Sequence, residues 1–178
     1  MTIFLPGDLL GCQTMIAAAL YTLEALDTDG DSGVSVTQLE ALLYLSDKAS
    51  GQDFGQSLTE QRWHAGFHTP QQTLLARLLT PFSANRASNP FFALETNGKT
   101  ALVSARLRHD EDQLSQANLE CLDAVISRFG IEPELVLTVA RDAAWQAGRT
   151  RIGREMLLEE IIGTLENPGL ILEHLRGE

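Results

Sequence analysis

Between His68 and Lys99 the sequence carries side chains suited to touching nucleic acid rather than to catalysis. Arg77 can hold guanine through two hydrogen bonds, and Gln71 or Gln72 can do the same for adenine. His68 can meet a phosphate or a base. Thr69, Thr73 and Arg86 are of types that position a phosphate backbone, and Lys99 can reach a minor groove or a phosphate. No nucleophile elbow, phosphate loop, paired metal motif or Cys–His signature accompanies them, so an enzyme is not expected. His64 and His68 are four apart but straddle Gly66, which breaks any single helical metal face.

A second set of residues has different chemistry. Asp27, Asp29 and Asp31 fall at positions one, three and five of an EF-hand calcium loop, with Val34 and Ser35 at positions eight and nine. Position six is Ser32 where Gly makes the usual sharp turn. Position twelve is Gln38 where a bidentate Glu is usual, and no second loop follows. This degenerate single loop, 27–38, supplies the alternative reading. In it the chain is a calcium-binding interaction protein with no DNA binding, its ligands being Asp27, Asp29, Asp31, Ser35 and Gln38. Ca2+ is the one cofactor the sequence suggests.

The elements that must position the first set are legible as patterns. Thr69 followed by Pro70 predicts a helix start, Leu74, Leu75, Leu78 and Leu79 form its apolar stripe, and Pro81 stops it, which gives a helix over 69–80. Thr73 and Arg77 then face away from the stripe, with Gln72 at its border. Gln71 points toward the stripe, so only its place in the first turn makes it a candidate. Ser57 and Glu60 form a capping box that predicts a preceding helix, with the turn at Gly66 and Trp63 in the core. Asn97-Gly98 predicts a two-residue hairpin turn that pairs Leu94 with Ala101 and Phe92 with Val103. Two helices and then a ribbon are the order of a winged helix-turn-helix.

These residues resemble a family. GFHTPQQTLLARLL is similar to the second and third helices of MarR-type winged-helix regulators, and FFALETNGKTALVSARL sits where their wing does. VSVTQLEALLYLS is similar to the segment that precedes the DNA-reading helices, so the resemblance covers about residues 34–108. It implies a sequence-specific, dimeric transcriptional regulator whose helix 69–80 enters the major groove and whose hairpin 91–108 is the wing. The wing ends in Arg106-Leu107-Arg108 rather than the Asp-x-Arg often found in the family. The expected partners are DNA, a second copy of the chain, and an effector, small molecule or protein.

The flanks read as helices. Asp8 caps a helix over residues 9–26, and Thr37 with Glu40 forms a capping box for the next. Leu119, Leu122, Ile126 and Phe129 make an apolar seam, Pro133 opens a helix that ends near Gly148, and a basic RTRIGR turn precedes two last helices. The fold class expected is mainly α (α+β), a winged helix-turn-helix with a two-stranded wing and additional N- and C-terminal helices. Its segments are 1–36 (helix and Asp-rich loop), 37–108 (winged helix) and 109–178 (helical, suited to dimerisation).

Charge is uneven along the chain. The net formal charge is −11, which argues against a general polyanion binder, yet residues 57–108 carry +4 against −7 before and −8 after them. Phosphate attraction is local at physiological salt, so the regional value is the relevant one. Cys12 and Cys121 are expected as buried free thiols, and no stretch is long enough to cross a membrane, which together imply a cytoplasmic protein.

Overall fold

The computed structural model describes residues 9–27, 33–79, 89–130 and 134–176, which form a mainly helical α+β fold. Helix α1 spans Leu9–Leu26 and is followed by the two-residue strand β1, Val34–Ser35. Helix α2, Val36–Phe54, is the centre of the fold and packs on α1, on α4 (Gln116–Phe129) and on α5 (Leu135–Ala140). Leu39, Ala41, Leu42, Leu43 and Tyr44 of α2 are buried without remainder. Ser35 rather than Thr37 caps this helix, accepting from Gln38 N at 3.1 Å. Glu40, expected in a capping box, is instead a buried residue in the second turn.

The segment after α2 departs from the expected helix pair. Ser57 Oγ does accept from Glu60 N at 2.9 Å, but Glu60 takes φ +53 and no helix follows. Asp47 of α2 holds the segment in place, accepting from Ser57 Oγ and Thr59 N at 2.9 Å each and from Trp63 Nε1 at 2.7 Å. The chain then forms a hairpin, β2 Trp63–Ala65 and β3 Pro70–Gln72, with His64 paired to Gln71. At its turn a Cβ on Gly66 would lie 2.5 Å from the Thr69 carbonyl oxygen, so only glycine fits. Met156 N donates to Trp63 O, and Ala65 N to Arg154 O, so β2 has neighbours on both sides and β3 is an edge. Pro70, which lacks a donor, is tolerated on such an edge.

The expected helix 69–80 is therefore shortened to α3, Thr73–Leu78, because its first residues belong to β3. Its apolar stripe survives, with Leu75 and Leu79 in the core. The hairpin expected as a wing is formed by β4 Phe92–Asn97 and β5 Thr100–Ala105, and β1 joins β5 to make a sheet of order β1-β5-β4. The turn is Gly98-Lys99, not Asn97-Gly98, with Gly98 at φ +62 as a Gly-first turn requires. The register shifts accordingly, pairing Leu94 with Val103 and Phe92 with Ala105. Each partner shifts by two positions, an even number, so the same residues still face the core.

After the wing, a single 3-10 turn at Glu111–Gln113 precedes α4. The seam of α4 packs against α1 and α2 of the same chain. Asp142 ends α5 and caps α6 (Ala143–Thr150), where one longer helix was expected; it also accepts from Lys48 Nζ at 2.6 Å and Tyr44 Oη at 3.1 Å. Short helices α7 (Leu158–Gly163) and α8 (Pro168–Arg176) complete the chain. Residues of all three expected segments enter one core. No helix among the described residues is long and apolar enough to cross a membrane.

Candidate nucleic-acid interface

Among the described residues, Asn89 bridges helix α3 to the β4–β5 hairpin. Asn89 Nδ2 donates to the last helical carbonyl, Leu78 O, at 2.9 Å, and Asn89 Oδ1 accepts from Phe91 N and Phe92 N at the start of β4. This bridge sets the helix relative to the sheet with no charged contact. From it, Arg77 projects to solvent on α3, Lys99 stands exposed at the wing tip, and Arg106 and Arg108 stand exposed beyond β5.

These cations share a property. Among the described side chains, Arg77, Lys99, Arg106, Arg108 and Arg141 enter no ion pair, side-chain hydrogen bond or cation–π contact, and all but Arg141 lie on α3, at the hairpin tip or just after β5. Elsewhere basic groups are spent internally: Lys48 on Asp142, Arg62 on Glu155, and Arg151 on Glu160 in a bidentate pair of 2.6 and 3.1 Å. That pair holds the Glu160 carboxyl below its ordinary range and raises the Arg151 guanidinium.

The remaining candidates separate by burial. His68 is exposed, its ring 6.0 Å from that of Phe67. Thr73 is exposed, with Oγ1 3.3 Å from His64 Nδ1. Thr69 and Gln72 are each 1% exposed and cannot reach a duplex from these positions. Thr69 Oγ1 donates to Glu40 Oε2 at 2.9 Å, and half-buried Gln71 donates to the same oxygen at 3.2 Å. Gln72 Nε2 donates to Thr59 Oγ1 at 2.5 Å. For Thr69 and Gln71 the cause is Glu40: a carboxylate taken out of water is costly unless hydrogen-bonded, and the hairpin supplies the donors. Burial pushes the Glu40 carboxyl up to about 7, against the two hydrogen bonds that hold it down.

Arg86, Asp29 and Asp31 lie outside the described residues. Of the calcium-loop candidates, Asp27 follows α1 with its N–H on Leu23 O, and Ser35 Oγ is the α2 cap. Gln38 Nε2 donates to Gly130 O at the end of α4. No group of three or more His, Cys, Asp or Glu among the described residues is arranged to hold a metal ion.

Buried Glu40 and half-buried Asp47 hold roles that local sequence did not reveal. Glu40 had a signal, an acid inside the apolar run Leu39–Leu45. Asp47, whose carboxyl burial also pushes upward against the donors of Trp63 and Thr59, had none, because its partners are set by the path of the chain after α2. Compared with known proteins, the sequence matches no family model, no curated protein and no solved structure.

Proposed function

We propose that the chain is a DNA-binding transcriptional regulator of winged-helix type that acts as a dimer. The observation that carries the reading is the set of unneutralised cations on α3 (Arg77), at the hairpin tip (Lys99) and just after β5 (Arg106 and Arg108), in a chain whose net charge is −11. The order of elements supports it: α1, β1, α2, α3 and then the β4–β5 hairpin, with β1 closing the sheet and the β2–β3 hairpin set between the second and third helices. In this reading Arg77 reads a base edge and Thr73 and His68 contact the backbone. Lys99 meets a phosphate or the minor groove, and Arg106 and Arg108 add phosphate contacts. Gln71, Gln72 and Thr69 are not readers; they hold the hairpin that precedes α3.

The test is fluorescence anisotropy with a mixed-sequence duplex across a salt series. Binding is expected to weaken with salt, with a log–log slope near −0.9 per phosphate neutralised. Lys99→Ala should make that slope shallower by about 1 and weaken binding to all sequences alike. No binding at the lowest salt would remove the proposal.

The flanking helices α1 and α2 around residues 27–33 keep the calcium reading as a second proposal. It predicts a rise in melting temperature with added Ca2+ that Asp29→Ala abolishes; a melting curve indifferent to Ca2+ would end it.

A further inference from the structure

Two stretches that carry basic residues meet at β2, with the acid Glu155 at their junction. Residues 61–73 contain Arg62, His64 and His68, and residues 143–154 contain Arg149, Arg151 and Arg154. Backbone bonds join them: Ala65 N donates to Arg154 O at 2.7 Å, Met156 N to Trp63 O at 3.0 Å, and His64 is bridged to Glu155. The junction places the Arg154 guanidinium over the ring of Phe67, 5.4 Å from its centroid. Phe67 is 78% exposed at the tip of the hairpin, beside exposed His68. In the adjoining loop Ile152 is fully exposed next to Gly153. Arg62 and Arg151 already have carboxylate partners, whereas Arg154 has only the ring.

A hairpin tip has no structural need of an aromatic ring; turns favour Gly, Asn, Asp and Ser. Here the ring stands on a turn pinned by Gly66 and by the bonds to residues 154 and 156, so it is presented rigidly. Beside it the Arg154 guanidinium carries a positive charge that no carboxylate neutralises, which suits a phosphate. The tip is also continuous with α3, because His64 beneath it contacts Thr73, the first residue of that helix.

We infer that this tip is a second DNA contact, at which Phe67 lays its ring against a base at an opened or kinked step and Arg154 meets the neighbouring phosphate. The inference rests on the DNA-binding reading above. Exposed apolar side chains at kinked steps and aromatic rings on unpaired bases are both established modes of contact, and neither requires a specific base.

The experiment uses the full-length chain and two duplexes of equal length, one of them carrying a single unpaired 2-aminopurine. Wild type is expected to bind the bulged duplex more tightly and to change the 2-aminopurine fluorescence. Phe67→Ala should weaken binding to the bulged duplex about tenfold and remove the fluorescence change, and Phe67→Trp should retain both. Arg154→Ala should weaken binding to both duplexes and flatten the salt dependence. If wild type binds duplex DNA but Phe67→Ala behaves identically on both substrates, the inference falls and the DNA-binding reading stands. If wild type binds neither, both fall. If Phe67→Ala abolishes self-association of the chain while DNA binding is unchanged, the tip is a protein contact and the inference is overturned.

Discussion

Glu40 illustrates how one residue decides what its neighbours are free to do. Glu40, 2% exposed on α2, draws the Thr69 side chain inward out of reach of the surface and engages the amide of half-buried Gln71. Because burial raises its pKa to about 7 in the folded state, the folded protein binds more protons than the unfolded chain between about pH 4.5 and 7. The stability this contributes is complete below the unfolded pKa and is lost as pH rises through the folded one. Glu40→Gln removes the titration and keeps the shape. In urea unfolding at pH 4.5 and 8, the variant should gain on wild type by about 1 to 3 kcal/mol at the higher pH. Parallel stability curves would contradict the buried charge. At this scale the sequence was legible where side chains end in solvent: Arg77, Thr73, His68 and Lys99 are exposed as a helical wheel or a turn implies. Thr69 and Gln72 were misplaced because their partners, Glu40 and Thr59, are chosen by tertiary packing.

Among the elements, the β2–β3 hairpin depends on Asp47 as much as on its own backbone bonds. Asp47→Ala would leave the Trp63 indole N–H and the Thr59 amide without an acceptor in a largely buried setting, at a cost of about 2 to 4 kcal/mol. Urea unfolding measures that cost, and a loss under 0.5 kcal/mol would show that the segment is held by other means. Thr-Pro followed by a leucine stripe fits a helix start and equally fits an edge strand running into a shorter helix. The choice is made by residues 154–156, which pair with β2 from about ninety positions away. No local window contains that information. The hairpin was legible because turn chemistry is local, and its register erred only by the choice between Asn97-Gly98 and Gly98-Lys99. Since that choice shifts each cross-strand partner by two positions, the inward face was read correctly.

Over the whole molecule, charge and packing point in different directions along the chain. The acidic flanks build the helices that enclose the core, and α4, whose seam suits another helix, finds that helix in α1 and α2 of its own chain. A dimer would therefore use other surfaces. In the basic middle, Arg62 is paired with Glu155, while Arg77, Lys99, Arg106 and Arg108 stay free on α3, at the hairpin tip and just after β5, and those four side chains are the basis of the proposed function. The most direct measurement is selection from a pool of random duplex DNA at low and moderate salt, run in parallel with wild type and with the variant carrying Ala at Arg77, Lys99, Arg106 and Arg108. Wild type should enrich a palindromic sequence that the variant does not retain, and Arg77→Ala alone should relax preference at one base position in each half-site. Enrichment of nothing by wild type, or of the same sequence by the fourfold variant, would contradict DNA recognition through α3 and the wing.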